Sequence, residues 1–177
     1  MVKNGKGGGN TKTGLIFEGK TDLGAFLSTQ KGYEIRTITE NVSYNGTKQK
    51  VCVRTVFFNN EKVAELYKKN EIYTSLLKKL NINWEMYISK KLLPDDSIFV
   101  IIKNTVYIIE CKHQQVGGSV DEKLQTCDFK KKEYKKLFSK ANIDVEYIYL
   151  LDDWFRNPKY KDVLDYIHSV GWGFYFL

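Results

Sequence analysis

Residues 94–112 read PDDSIFVIIKNTVYIIECK. The stretch contains two apolar runs, 97–102 and 105–109, separated by Lys103-Asn104, a polar pair that is typical of a tight turn. Two apolar runs joined so closely predict a β-hairpin. An acidic pair precedes the first run, and an acid and a lysine two positions apart end the second.

The hairpin predicts which side chains share a face of the sheet. If Lys103-Asn104 is the whole loop, three facing pairs follow: Ile102 with Thr105, Ser97 with Glu110, and Asp95 with Lys112. Facing residues point to the same side of a sheet, as do residues two apart in one strand. Asp95, Glu110 and Lys112 therefore converge on one face, whereas Asp96 points to the other. A three-residue loop would instead bring Asp96 opposite Glu110, so both aspartates remain candidates.

The predicted cluster combines two carboxylates with an ammonium group, which suits a hard divalent cation and a water molecule activated for hydrolysis. Asp95 and Glu110 would hold one or two Mg²⁺ ions, with the backbone carbonyl of Cys111 as a further ligand. Lys112 would position or deprotonate the water. Taken singly, each acid is an ordinary charge at the end of a strand, and it is the combination that indicates catalysis.

Pro94-Asp95 followed by Glu110-Cys111-Lys112 at the end of an apolar strand resembles the PD-(D/E)xK nuclease superfamily. Two further stretches, 9–14 (GNTKTG) and 118–126 (GSVDEKLQT), resemble segments of small type II restriction endonucleases. Cys111 stands where the family usually has an aliphatic residue, and a buried thiol can replace a small hydrophobe. The resemblance implies an α/β fold with a restriction-endonuclease-like core, that is, a central mixed β-sheet flanked by helices.

The same resemblance implies a function. A type II restriction endonuclease hydrolyses phosphodiester bonds in double-stranded DNA, at a specific sequence and with Mg²⁺. One catalytic cluster per chain favours a homodimer that cuts both strands, and a cognate DNA methyltransferase is the expected partner. In related nucleases an acid of the first helix completes the metal shell, a role open to Glu18. The alternatives are a repair or structure-specific nuclease of the same fold and a catalytically inert DNA-binding module.

Composition agrees with a DNA enzyme. Lys and Arg number 28 against 21 Asp and Glu, a net charge of +7 that favours a polyanionic partner. No apolar run approaches the roughly 18 residues that span a membrane, and the polar start of the chain lacks the apolar core of a signal peptide. Three widely spaced cysteines indicate reduced thiols, so the cytoplasm is the expected location.

The chain of 177 residues is expected to hold a flexible basic, glycine-rich segment, 1–13, and a single nuclease domain, 14–177. Periodicity predicts helices at 14–28, 61–80, from 119 to about 138, and 158–169. It predicts strands at 32–38, 48–58, 145–151 and 174–177, in addition to the hairpin.

Several polar residues after the hairpin are candidates for DNA contacts. The amides of Gln114 and Gln115 could reach phosphates or base edges, although a polar exit from a strand explains them equally well. Four residues of the following helix are weaker candidates: Lys123, Gln125, Lys130 and Lys131. A run of lysines on a helix is usually a solvated face.

A second motif competes with the nuclease interpretation. Residues 14–21, GLIFEGKT, fit the phosphate-loop pattern G-x₄-G-K-T. A phosphate loop follows a buried strand and needs small residues, so that its backbone N–H groups can wrap a phosphate. The preceding residues are glycine-rich, and Leu15, Ile16 and Phe17 are bulky. A phosphate-loop ATPase is therefore the least favoured alternative.

Overall fold

The computed structural model describes residues 22–114 and 120–177, with the backbone alone described at positions 120 and 121. Seven strands lie in these ranges: β1 (Tyr33–Tyr44), β2 (Thr47–Phe58), β3 (Glu61–Tyr67), β4 (Asp96–Val100), β5 (Thr105–Lys112), β6 (Asp144–Leu151) and β7 (Gly173–Phe176). They form one mixed sheet in chain order. Neighbours are antiparallel from β1 to β5, and β5, β6 and β7 are parallel.

Helices flank this sheet. They are α1 (Leu23–Ser28), a π-helical turn (Ile72–Leu76) that continues into α2 (Leu77–Lys79), α3 (Val120–Leu124), α4 (Cys127–Phe138) and α5 (Lys161–Ser169). The segment that carries α3 and α4 connects β5 to the parallel strand β6, as a crossover between parallel strands requires. The expected α/β architecture, a mixed sheet flanked by helices, is confirmed.

The main hydrophobic core fills the space between the sheet and α4. Tyr134, Leu137 and Phe138 of α4 are buried in one cluster with Ile108 and Tyr147 of the central strands. Strand β5 is internal and buried on both faces over most of its length, which explains why it is nearly continuous in apolar residues. Within the described ranges, no helix combines the length and apolar character needed to cross a membrane.

The hairpin register differs from the predicted one. Val100 pairs with Thr105 and Asp96 with Ile109, so the loop comprises residues 101–104. The predicted facing pairs are therefore wrong, each by two residues. Because side chains alternate along a strand, a shift of two leaves every side chain on its expected face. Extending the observed register by one residue puts Asp95 opposite Glu110.

The longer loop has a tertiary cause. Asn104 takes the left-handed conformation at φ 48°, and its side-chain amide donates a hydrogen bond to the carbonyl of Asn142 at 2.8 Å. Its own carbonyl accepts from the N–H of Asp144, at the start of β6. The loop thus docks against the entry to β6, and Ile102 is left 88% exposed.

The predicted helix at 61–80 is wrong over its first part, where the structure has strand β3. Phe58 pairs with Glu61 across the two-residue loop Asn59-Asn60, and both asparagines have positive φ. Such a loop is a favoured hairpin turn, and this signal was available in the sequence. Val63, Leu66 and Tyr67 satisfy a helical spacing as well, which concealed the strand.

Most other elements agree with their predictions within a few residues, but β1 runs to Tyr44, six residues beyond the end predicted at 38. Strand β2, strand β6 and helix α5 lie where they are expected. The long helix predicted from residue 119 is two helices, α3 and α4, with a break at residues 125–126. Of the helix predicted at 14–28, α1 is the part that lies within the described residues. The N-terminal segment 1–13 and residue 119 lie outside them.

A buried ion cluster stabilises the middle of the sheet. Glu65 of β3 is 2% exposed and pairs with Lys79 at 2.5 Å and Lys62 at 2.7 Å, and it accepts a hydrogen bond from the Tyr67 hydroxyl. Burial by itself raises the pKa of Glu65, but its hydrogen bonds with Lys62, Lys79 and Tyr67 lower the pKa below its ordinary value.

Replacing Glu65 with Gln is expected to lower the free energy of unfolding at pH 7 by about 2 kcal/mol, because the hydrogen bonds from two lysines to a charged, buried carboxylate are weakened. Both lysines keep their second partner, Glu40. A lowered folded-state pKa stabilises the protein above the unfolded-state pKa of about 4.3, and this contribution disappears as pH falls through the folded-state pKa. Denaturant unfolding should therefore show the gap between wild type and variant closing in acid. The exposed pair Glu34–Arg36 offers a control, since Glu34→Gln should leave unfolding unchanged. A gap independent of pH would contradict the prediction.

Candidate active site

The predicted cluster lies where β4 begins and β5 ends. Asp95 directly precedes β4, and its Oδ2 accepts a hydrogen bond from the backbone N–H of Cys111 at 2.8 Å. The Lys112 Nζ lies 2.9 Å from Glu110 Oε2 and 3.3 Å from the Cys111 carbonyl oxygen. The structure therefore brings Asp95, Glu110 and Lys112 to one end of the hairpin, on the face that alternation predicts.

Glu110 is the electrostatic centre of the cluster and is 6% exposed. Burial by itself would raise the pKa of Glu110, but the charges of Lys112 and Lys130, together with hydrogen bonds from Lys130 and Tyr147, lower it to about 2. The carboxylate is therefore ionised throughout the neutral range. An ionised, preformed carboxylate is ready to bind a cation without first losing a proton.

The pKa of Lys112 depends on both acids of the cluster. Burial by itself lowers the pKa of its ammonium group, but the charges of Glu110 and then Asp95 raise the pKa above its ordinary value. The ammonium group also lies 5.7 Å from the centre of the Tyr149 ring. Lys112 is thus a partly buried, charged donor that contacts Glu110 and the Cys111 carbonyl and lies in the field of Asp95.

Lys130 of α4 is a component of the cluster that the sequence did not place there. Its Nζ lies 2.6 Å from Glu110 Oε1 and 2.7 Å from Oε2. The sequence offered Lys130 only as one of several lysines for phosphate contacts. Its position depends on how α4 packs across the end of β5, and no local pattern encodes that packing.

Two buried tyrosines line the same region. The Tyr147 hydroxyl interacts with the Glu110 carboxylate, yet it has no hydrogen-bond partner of regular geometry among the described residues. Burial, followed by the Glu110 charge, raises the pKa of Tyr147, so this hydroxyl stays protonated. Tyr134 donates to the carbonyl of Leu92, just before Asp95, at 3.1 Å.

The donor chemistry of the cluster fits a hard divalent cation. Asp95 and Glu110 provide carboxylate oxygens, and Cys111 provides a carbonyl beside them. The Tyr147 hydroxyl, buried beside Glu110, is a further polar group suited to a metal-bound water. The described residues contain no group of three or more His, Cys, Asp and Glu side chains that could hold a metal. A cation here would therefore take its remaining oxygens from water and phosphate, as Mg²⁺ usually does.

Asp96 lies on the opposite face of the sheet, and the structure does not bring it to the cluster. Its carboxylate accepts hydrogen bonds from the N–H groups of Ser97 at 2.9 Å and Leu23, at the start of α1, at 3.3 Å. Burial raises the pKa of Asp96 to about 6. Its role in the structure is to anchor α1 to β4.

The DNA-contact candidates separate into three groups. Lys123 and Gln125 are exposed, and Gln114 is buried, with its N–H bonded to Asp152 at 3.0 Å. Lys131 is only 11% exposed, because it donates to the carbonyl of Gly171 at 2.6 Å and ties α4 to the turn before β7. Gln115 and Glu18 lie outside the described residues, as do positions 14–21 of the phosphate-loop pattern.

A family model described as the PD-(D/E)XK nuclease superfamily domain matches residues 33–134, more than half of the 177 residues. The chain belongs to the PD-(D/E)XK nuclease superfamily. The matched segment runs from β1 into α4 and contains Asp95, Glu110, Lys112 and Lys130. No curated protein and no solved structure matches the chain significantly.

Membership of the PD-(D/E)XK superfamily confirms the resemblance seen in Pro94-Asp95 and Glu110-Cys111-Lys112. A PD-(D/E)XK domain supports nuclease activity on DNA, and nucleases of this superfamily usually use divalent metal ions. The +7 net charge of the chain agrees with a phosphate-rich substrate.

Proposed function

We propose that this PD-(D/E)XK protein is a type II restriction endonuclease, which hydrolyses double-stranded DNA at a specific sequence with Mg²⁺. The observation that carries the proposal is the convergence of Asp95, Glu110 and Lys112 at one end of the β4–β5 hairpin, inside the matched segment. The similarity of residues 9–14 and 118–126 to small restriction endonucleases supports the subtype. The proposal includes a homodimer, a cognate DNA methyltransferase and action in the cytoplasm.

The proposed reaction assigns a role to each side chain. Asp95 and Glu110, with the Cys111 carbonyl, would hold the cation. A bound Mg²⁺ supplies a water of lowered pKa and stabilises charge on the transition state. The Cys111 N–H fixes Asp95, so the carboxylate is oriented before the substrate arrives. Lys112 donates hydrogen bonds to the attacking water and to the phosphate oxygen on which charge grows.

Incubation of plasmid DNA with the protein and Mg²⁺ tests the proposal. A restriction enzyme should give discrete fragments, and sequencing their ends should give one recognition site and one stagger. A smear or nicked circles would replace the restriction proposal with a repair or non-specific nuclease. DNA binding without cleavage in any divalent metal would indicate an inert module, and ATP turnover without cleavage would indicate the phosphate-loop alternative. Light scattering of the purified protein tests the homodimer.

A further inference from the structure

Lys130 is held in the candidate active site by a contact unlike those of its neighbours on α4. Its ammonium group bonds both oxygens of Glu110, and its side chain is 23% exposed. Lys132, two positions along the same helix, is 72% exposed, and its partner is Asp128 on the surface of the helix, at 2.5 Å. Lys130 thus belongs to the site, and Lys132 to the solvated face of the helix.

The contact matters because of what Glu110 is proposed to do. Two hydrogen bonds from Lys130 and one close contact from Lys112 surround the Glu110 carboxylate. Among the described side chains at the site, the charges of Asp95 and Glu110 are balanced by those of Lys112 and Lys130. A divalent cation that binds Glu110 competes with Lys130 for these oxygens, and its charge repels the ammonium group that lies 2.6 to 2.7 Å from them.

We propose that Lys130 occupies the cation position at Glu110 in the metal-free protein and transfers to the DNA phosphate when a divalent cation and DNA bind together. The inference rests on the proposed nuclease function. A displaced ammonium group on a flexible four-carbon chain stays beside the site, where the nearest anion in the complex is the phosphate of the substrate. Lys130 thereby weakens metal binding to the free protein and strengthens DNA binding to the metal-loaded protein.

Such an exchange couples the two ligands. Each ligand raises the affinity of the other by the same factor, because the coupling free energy is reciprocal. A purely structural Lys130, which only fastens α4 to the end of β5, would behave differently. Its removal would lower stability and would leave the affinity for metal unchanged or reduced.

Lys130→Met tests the exchange in the full-length protein. Calcium titration of the free protein by calorimetry should show an affinity about tenfold or more above wild type, because a positive charge within a few ångströms of the cation is removed. DNA affinity in Ca²⁺ should fall about tenfold. Lys130→Arg keeps the charge and should stay near the wild-type values, and Lys132→Met is the matched control from the same helix. Adding Glu110→Gln to Lys130→Met should abolish the gain in calcium affinity, which places the gain at this carboxylate.

Equal or weaker calcium binding by Lys130→Met than by wild type overturns the inference, and so does unchanged DNA affinity. Lys130→Gln repeats the test with a polar side chain if the methionine variant fails to fold. Plasmid cleavage by the wild type is measured in parallel. If the wild type cleaves DNA but the Lys130 variants show no gain in calcium affinity, the exchange is wrong and the proposed function stands. If the wild type cleaves in no divalent metal, the proposed function is wrong.

Discussion

Lys112→Ala is expected to lower the rate of DNA cleavage by about 10²- to 10³-fold while DNA affinity stays close to wild type. Lys112 is the partly buried ammonium group that contacts Glu110 at 2.9 Å. Removal of one hydrogen-bond donor that stabilises the charge of the transition state costs about that factor in rate. DNA affinity should persist because many cations share the phosphate contacts. Single-turnover cleavage and binding in Ca²⁺ measure the two effects separately.

The variant should fold, since Lys130 still neutralises Glu110 after Lys112 is removed. Lys132→Ala, on the exposed face of α4, is the matched control and should cleave at the wild-type rate. Wild-type cleavage by Lys112→Ala would remove this lysine from the mechanism.

The second large effect is expected on the cleavage rate when Asp95→Asn is compared with Asp96→Asn. Asp95→Asn should lose about 10²- to 10³-fold in cleavage rate, because a ligand that supplies several kcal/mol of charge stabilisation is neutralised. The asparagine oxygen can still accept from the Cys111 N–H, so the backbone at the site should be kept. Asp96→Asn should cleave within a few-fold of wild type, because Asp96 faces α1 on the other side of the sheet.

The two substitutions are at neighbouring positions whose side chains lie on opposite faces of the sheet. Cleavage assays under identical Mg²⁺ concentrations, with circular dichroism to check folding, distinguish them. Loss of activity in Asp96→Asn with activity retained in Asp95→Asn would show that the observed register does not hold in the active protein.

The predicted register was wrong, yet the structure brings the three predicted side chains to the same end of the hairpin. The hairpin loop has four residues, 101–104, and the prediction had two. Apolar alternation determines which face of the sheet each side chain takes. A register shift of two residues keeps every side chain on the same face, whereas a shift of one residue moves it to the other face. Asp95, Glu110 and Lys112 therefore share a face in either register. A loop of three residues would have favoured Asp96, but the observed loop has four.

The helix predicted at 61–80 is wrong over its first part for a related reason. Strand β3 lies between β2 and β4 and is buried on both faces toward its end, so it lacks the alternation that marks a half-buried strand. Short apolar runs of that kind suit a helix or an internal strand equally. The Asn59-Asn60 turn was the local signal that favoured the strand.

The sequence by itself determined the hairpin, the faces of its side chains and the pair of acids with a lysine, because these follow from alternation and from residues close together in the chain. Only the tertiary structure decided the loop length, which Asn104 fixes by bonding to Asn142 and Asp144. Tertiary packing also decided that Lys130, twenty residues from Glu110, meets it. Contacts of that kind depend on how a helix crosses a sheet, and the free energy of that packing is spread over the whole core.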